Sequence, residues 1–190
     1  MPALVGSAQR SKKGEIACGD VGAVIPFSRG LLLCLADGLG HGEEARVSAE
    51  AACRHAKAHA EDSLEALLRG IGAALAGMRG AAISVLALHL AEGRALFAGV
   101  GNVELRCLAR VAIAPPTTPG IVGQRLRSVR VWEYPLAAGD LLVLMTDGIS
   151  TRFDLADLAH LEPQPLAVAL VEQHHKSHDD ASCLVARVTA

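Results

Sequence analysis

Hydrophobic and polar positions divide the chain into strand-like and helix-like stretches. Unbroken apolar runs predict buried strands at Leu31 to Ala36 and in "DLLVLMT". Further strand-like runs are "AVIPF", "AAISVLALHL", "ALFAGV", "VELRCLA" and "SVRVWEYPL", and the turn-like sequences "AEG", "GVGN" and "AAGD" separate several of them. The pattern predicts a large, mostly antiparallel sheet system.

Two helical stretches interrupt the strands early in the chain. The segment "EEARVSAEAACRHAKAHAE" is rich in alanine, the best helix former, and Val47 is predicted to lie on its inner face. In "SLEALLRGIGAALAGM", Ser63 is placed to cap the helix N-terminus. An apolar stripe follows it, formed by Leu64, Leu67, Leu68, Ile71 and Leu75. We expect the two helices to pack as an antiparallel pair, with short helices near the end of the chain.

Composition limits the class of protein. The 190 residues are 51% hydrophobic, which predicts one domain over residues 1–190 with a substantial core. The net charge of -2, with no basic cluster larger than "RSKK", argues against a nucleic-acid partner. The five cysteines form no CxxC pair, and no apolar run approaches the roughly 20 residues of a membrane span. We expect a cytoplasmic monomer with no membrane partner.

Aspartates stand at the ends of several strand-like runs. Both "LLLCLADG" and "LLVLMTDG" end on Asp-Gly, at Asp37 and Asp147. Asp20 lies beside strand-like text in "CGDVGAVIPF", and Asp179 and Asp180 do so in "HDDASCLVARV". Each alone fits a turn, because Asp-Gly is a common turn dipeptide and Asp often opens turns. Brought together, these carboxylates would repel one another unless they bound a hard divalent cation such as Mg²⁺ or Mn²⁺.

Seven motifs in order carry a family resemblance. They are "CGD", "ADGLGHG", "RGAAISVLAL", "AGVGN", "PGIVG", "GDLLVLMTDG" and "DDASCLV". In order and rough spacing, from about Asp20 to Val188, they resemble the metal-dependent protein phosphatases of type 2C. The chain is most similar to the short bacterial SpoIIE-like branch, which includes stressosome feedback phosphatases. The resemblance implies an α+β fold: a four-layer α-β-β-α sandwich of two mainly antiparallel sheets flanked by helices.

The resemblance also implies a site for two divalent metal ions, Mn²⁺ or Mg²⁺, at one end of the sandwich. The ligands it implies are Asp20, Asp37, Gly38, Asp147, Asp179 and Asp180. Asp37 would bridge both ions. The Gly38 carbonyl and Asp20 would serve one ion, and Asp147 and Asp179 the other. Asp180 is the weaker candidate of its pair, at a position that is Asn or Asp in the family.

Two metal ions can hold a bridging hydroxide for in-line attack on phosphorus, so no protein nucleophile is needed. The leaving oxygen needs a proton, and His41 is the candidate general acid. It lies four residues after Asp37, whereas the larger eukaryotic members carry their histidine two residues after it, where this chain has Leu39. The alternatives are a loop role for His41 and a metal-bound water as proton donor. Lys12 and Lys13 are weak candidates for binding the phosphate.

The implied activity is hydrolysis of phosphoserine or phosphothreonine on a bacterial signalling protein. The implied partner is a phosphorylated STAS-domain protein, either a stressosome scaffold or an anti-sigma-factor antagonist. The alternative is a catalytically silent domain of the same fold that binds a regulatory partner. The complete set of expected metal carboxylates favours the enzyme.

Overall fold

The computed structural model describes residues 1–124, 126 and 128–190. Within these ranges the chain forms nine strands and four helices. The strands are β1 (Ala3–Arg10), β2 (Asp20–Phe27), β3 (Gly30–Gly38), β4 (Ala81–His89), β5 (Arg94–Val100), β6 (Glu104–Leu108), β7 (Trp132–Pro135), β8 (Leu141–Met145) and β9 (Ala181–Val188). The helices are α1 (Gly42–Ala58), α2 (Leu64–Ala74), α3 (Leu155–Leu158) and α4 (Pro163–His174).

The strands form two antiparallel sheets. One sheet has the order β1-β9-β8-β6, and the other has the order β2-β3-β4-β5-β7. Helices α1 and α2 cover the outer face of the five-stranded sheet, and α4 covers the outer face of the four-stranded sheet. A third apolar core fills the space between the sheets. This arrangement is the predicted α-β-β-α sandwich.

The unbroken apolar runs are explained by burial on both faces of a strand. In β3, Cys34 packs toward the helices, whereas Leu33 and Leu35 pack between the sheets. In β8, Val143 packs toward α4, whereas Leu144 packs between the sheets. Because neither face meets solvent, these strands lack the polar alternation of a half-exposed strand.

The two early helices form as predicted, with one exception. Ser63 caps α2 by accepting a hydrogen bond from the Ala66 amide at 3.3 Å, and the predicted apolar stripe is buried. The prediction for Val47 is wrong, because this residue is 45% exposed. The buried face of α1 is instead made largely of alanines, including Ala45 and Ala49. Such small side chains let the helix pack close to the sheet.

Two edge strands differ from the sequence prediction. Strand β1 was not predicted, because Gly6 is its one buried residue and the strand has little apolar alternation. The predicted strand "SVRVWEYPL" is shorter in the structure, where β7 covers Trp132–Pro135 and has no fully buried residue. All five cysteines are free, and four are buried. Among the described residues, no helix is long and apolar enough to cross a membrane.

Candidate metal centre and catalytic groove

Antiparallel pairing brings the acidic strand ends together. Asp20, at the start of β2, lies directly opposite Asp37, near the end of β3. In the other sheet, Asp147 follows the end of β8, and Asp180 immediately precedes the paired strand β9. The Thr146 hydroxyl donates to Asp20 Oδ2 at 2.7 Å and so joins the two sheets at this end. The carboxylates therefore lie toward one end of the sandwich.

The glycine of each Asp-Gly pair permits a close backbone approach. A Cβ on Gly38 would lie 2.0 Å from the Ala45 carbonyl oxygen in the first turn of α1. A Cβ on Gly148 would lie 1.7 Å from the Asp180 carbonyl oxygen. Side chains at these positions would push α1 and the segment before β9 away from the acidic residues. These glycines therefore set the spacing of the site.

Burial and mutual repulsion raise the pKa values of the central carboxylates. Burial raises the pKa of Asp37 to about 7, with further contributions from Asp147 and Asp179. Asp20 is 2% exposed, and its pKa is raised well above the usual range, first by burial and then by Asp37. Such groups bear negative charge at neutral pH only at a cost in stability, which a bound cation would offset.

An open groove of about 510 Å³ lies over these carboxylates. Its walls comprise three acidic residues, a polar turn and a short segment before β7. They are Asp37, Leu39, Gly40, Ala82, Gly101, Asn102, Thr117, Pro119, Gly120, Ile121, Asp147 and Asp179. The Asn102 amide donates to Asp147 Oδ2 at 2.8 Å, and the Thr117 hydroxyl donates to the Gly101 carbonyl at 2.6 Å. The groove can admit a side chain that carries a phosphate.

Asp179 and Asp180 have different environments. Asp179 lines the groove, whereas Asp180 is 3% exposed and accepts backbone hydrogen bonds at both carboxylate oxygens. Oδ1 of Asp180 accepts from the Lys12 amide at 2.8 Å, and Oδ2 accepts from the Gly19 amide at 3.0 Å. Asp180 thus anchors the loop between β1 and β2. This geometry favours Asp179 over Asp180 as a metal ligand.

The donor atoms suit a hard divalent cation in their chemistry. Among the described residues, no three His, Cys, Asp or Glu side chains stand close enough together to hold a metal ion. The converging groups nevertheless include oxygen donors, and their mutual repulsion is of the kind that a divalent cation removes. Asp20 and Asp147 are turned toward Thr146 and Asn102, respectively. The chemistry of these oxygen donors fits such an ion, and Asp20 and Asp147 would turn from their present partners to bind it.

The candidate acid follows two groove residues in sequence, and the candidate phosphate-binding lysines lie in the loop between β1 and β2. His41 precedes α1 and follows the groove residues Leu39 and Gly40. Its Nδ1 lies 2.7 Å from Oε1 of Glu15, and its side chain is 50% exposed. Lys12 and Lys13 lie in the loop after β1, where their backbone amides bind Asp180 and the Ser177 carbonyl.

Three residues that contact the acidic cluster are absent from the predicted site. Asn102 lies in the turn-like motif "AGVGN" and Thr146 in the strand-like motif "GDLLVLMTDG", and neither motif shows which aspartate its residue contacts. Lys176 donates from Nζ to the Asp147 carbonyl at 2.5 Å. Its position three residues before Asp179 was the one available signal. The other two contacts depend on how distant strands meet.

The raised pKa values predict a pH-dependent stability for the metal-free protein. Between about pH 4 and pH 7 the native state keeps the Asp37 proton that the unfolded chain has lost, so stability falls as pH rises through this window. A cost of about 1 kcal/mol would lower the Tm by roughly 2–4 °C. We expect a lower Tm at pH 8 than at pH 5 in EDTA, and a recovery at pH 8 with Mn²⁺. Asp37→Asn should flatten this dependence; an equal slope in that variant would contradict the assignment.

Comparisons with known proteins agree with this architecture. The family model described as Stage II sporulation protein E (SpoIIE) matches residues 28–189. The chain is 24% identical over 144 residues to the phosphoserine phosphatase RsbX of Bacillus subtilis (strain 168), covering 75% of this chain and 72% of that protein.

Solved structures show the same fold over nearly the whole chain. A chain from work on the bacterial stressosome, a modular system adapted to control secondary messenger signalling, has a TM-score of 0.94 and 31% identity, covering 98% of this chain and 100% of that chain. RsbX in complex with magnesium has a TM-score of 0.87 and 20% identity, with 98% and 96% covered. The catalytic domain of the serine/threonine phosphatase PstP with two manganese ions has a TM-score of 0.79 and 17% identity, with 99% of each covered. The chain therefore belongs to the SpoIIE family and has the type 2C phosphatase fold.

Proposed function

We propose that this protein removes phosphate from phosphoserine or phosphothreonine on a bacterial signalling protein. The enzyme class, a metal-dependent serine/threonine phosphatase, follows from the family and the fold. The observation that carries the finer proposal is the convergence of Asp37, Asp147 and Asp179 on one groove. An acidic groove is a poor binding site for a phosphate dianion unless cations occupy it.

Two divalent ions, Mn²⁺ or Mg²⁺, would be held at the acidic strand ends. Asp37 would contact both ions; Asp20 and the Gly38 carbonyl would complete one site, and Asp147 and Asp179 the other. The magnesium in RsbX and the two manganese ions in PstP support this choice of cofactor. Such ions would activate water and neutralise charge on the phosphoryl group.

The side chains around these ligands have positioning roles. Thr146 orients Asp20, and Asn102 orients Asp147, through the hydrogen bonds described above. Asp180 fixes the loop that leads into Asp20. His41, beside the groove and paired with Glu15, would protonate the leaving serine oxygen.

The proposed substrate is a phosphorylated STAS-domain protein, either a stressosome scaffold or an anti-sigma-factor antagonist. The similarity to RsbX and to a chain from the bacterial stressosome work supports this substrate class. A groove open at the surface also suits a phosphoserine presented on a folded protein. We propose further that residues 1–190 act as one cytoplasmic domain and as a monomer.

Phosphate release from p-nitrophenyl phosphate and from a phosphoserine STAS protein tests the proposal. We expect turnover of both substrates with Mn²⁺ and none after EDTA treatment. Binding of the phosphoprotein without hydrolysis, at any Mn²⁺ concentration, would instead identify a catalytically silent binding domain. Hydrolysis of p-nitrophenyl phosphate alone would support the phosphatase activity and contradict the proposed STAS-domain substrate.

The two adjacent aspartates are expected to respond differently to substitution. Asp179→Asn, like Asp147→Asn, should weaken Mn²⁺ binding and lower kcat. Asp180→Asn keeps one carbonyl oxygen for the two backbone amides, so it should mainly lower the Tm and loosen the Lys12–Gly19 loop. Calorimetric Mn²⁺ titration and thermal melts of the three variants separate these effects. If Asp180→Asn causes the greatest loss of Mn²⁺ affinity, the assignment within the pair is inverted.

A further inference from the structure

A partly exposed lysine, Lys176, is hydrogen-bonded to the backbone of two residues that line the groove, Asp147 and Asp179. Lys176 lies between α4 and β9, and its Nζ donates to the Asp147 carbonyl at 2.5 Å. Its backbone amide donates to the Gly148 carbonyl at 2.8 Å, and its carbonyl accepts from the Asp179 amide at 3.0 Å. Lys176 is thus hydrogen-bonded both to the Asp147–Gly148 turn and to Asp179.

The turn that carries Lys176 is well held. The Ser150 amide donates to the His174 carbonyl at 2.8 Å, and Ile149 and His175 form an antiparallel bridge. Nε2 of His175 lies 2.8 Å from the Asp179 carbonyl oxygen. These contacts hold the backbone of Lys176 in place in the ligand-free protein. The entropy cost of binding a ligand through this lysine is therefore reduced.

A substrate phosphate needs positive charge beyond that of two divalent ions. The four proposed ligands, Asp20, Asp37, Asp147 and Asp179, carry four negative charges, which two divalent ions only just neutralise. A phosphate dianion that entered the groove would then add two negative charges that these ions do not balance. A nearby lysine ammonium would offset part of this charge and is a common phosphate-binding group.

We propose that Lys176 binds the phosphate of the phosphoserine or phosphothreonine substrate in this groove. One of its three N–H donors is used by the Asp147 carbonyl, which leaves two for phosphoryl oxygens. The inference rests on the proposed function. It assigns to Lys176 the phosphate-binding role that the sequence suggests for Lys12 and Lys13, because the ammonium of Lys176 is bonded to the groove residue Asp147.

Binding of inorganic phosphate to the Mg²⁺-loaded protein, measured by titration calorimetry, tests this role without turnover. Lys176→Met removes the charge and keeps most of the side-chain length, and Lys176→Arg keeps the charge. Lys57→Met is the matched control, because this exposed lysine lies near the far end of α1 from the groove. We expect Lys176→Met to raise the phosphate Kd about five- to twentyfold, and Lys176→Arg and Lys57→Met to change it by less than about threefold. The Mg²⁺ affinity should stay unchanged in all variants.

The same variants should show a matching rise in KM for the phosphoprotein, with kcat changed by less than about threefold. An unchanged phosphate Kd in Lys176→Met would overturn the inference. An equal loss of Mg²⁺ affinity would also overturn it, because the lysine would then act by holding the metal ligands. If the unmodified protein hydrolyses no phosphoprotein but still binds inorganic phosphate through Lys176, the proposed function fails, and Lys176 keeps only a phosphate-binding role.

Discussion

Replacing Asp37 with asparagine is expected to abolish metal-dependent hydrolysis while leaving the fold intact. Asp37 faces Asp20 across β2 and β3 and lines the groove with Asp147 and Asp179. Metal ions at such a site supply several kcal/mol of transition-state stabilisation, so the loss should be on the order of 10³-fold or more in kcat/KM. Asparagine has nearly the same volume, and the core strand β3 is otherwise unchanged.

The metal-free variant should be at least as stable as the unmodified protein at pH 8. Burial and neighbouring carboxylates raise the pKa of Asp37 to about 7, so its ionised form is disfavoured in the native state. A neutral asparagine removes that cost.

The measurements are kcat/KM with Mn²⁺, Mn²⁺ binding by calorimetry, and the Tm in EDTA. Asp157→Asn is the matched control, because it removes an exposed carboxylate in α3, outside the groove. Full activity of Asp37→Asn with two bound Mn²⁺ ions would remove Asp37 from the bridging role. A collapse of the Tm would instead show that Asp37 has a structural role.

The sequence predicts best those elements whose surroundings are uniform along their length. Strands β3 and β8 are buried on both faces, so their apolar runs were unmistakable. Strand β1 is an edge strand with mostly exposed or partly exposed side chains, and its sequence resembles that of a loop. Val47 was misplaced because a helix made largely of alanine gives little information about which face is buried.

Motif order predicts which acidic residues belong to the site, but it does not predict the hydrogen bonds that hold their side chains. Asn102 and Asp147 are 45 residues apart and meet because β6 pairs with β8, whereas Thr146 and Asp20 are 126 residues apart and meet because the two sheets stack. The difference between Asp179 and Asp180 likewise depends on tertiary contacts. Only the fold shows that the amides of Lys12 and Gly19 engage the second carboxylate.

His41→Ala is expected to slow hydrolysis of a phosphoserine protein far more than hydrolysis of p-nitrophenyl phosphate. A serine alkoxide is a poor leaving group that needs a proton, whereas a nitrophenolate needs little help. General acid catalysis contributes about 10² to 10⁴ in rate. Glu15 binds Nδ1 of His41 at 2.7 Å, which leaves Nε2 as the ring nitrogen that can face the leaving oxygen.

The effect is measured as the ratio of the kcat values for the two substrates. This ratio is compared between His41→Ala and the unmodified protein. Metal loss would damage both substrates alike, so the ratio isolates the proton transfer. Glu15→Gln should change the ratio in the same direction and by less, because it weakens the orientation of the ring and keeps the acid. His59→Ala is the matched control, since this exposed histidine lies just beyond the far end of α1 and pairs with Asp62. Equal, small effects of His41→Ala on both substrates would leave His41 as a loop residue and assign the proton to a metal-bound water.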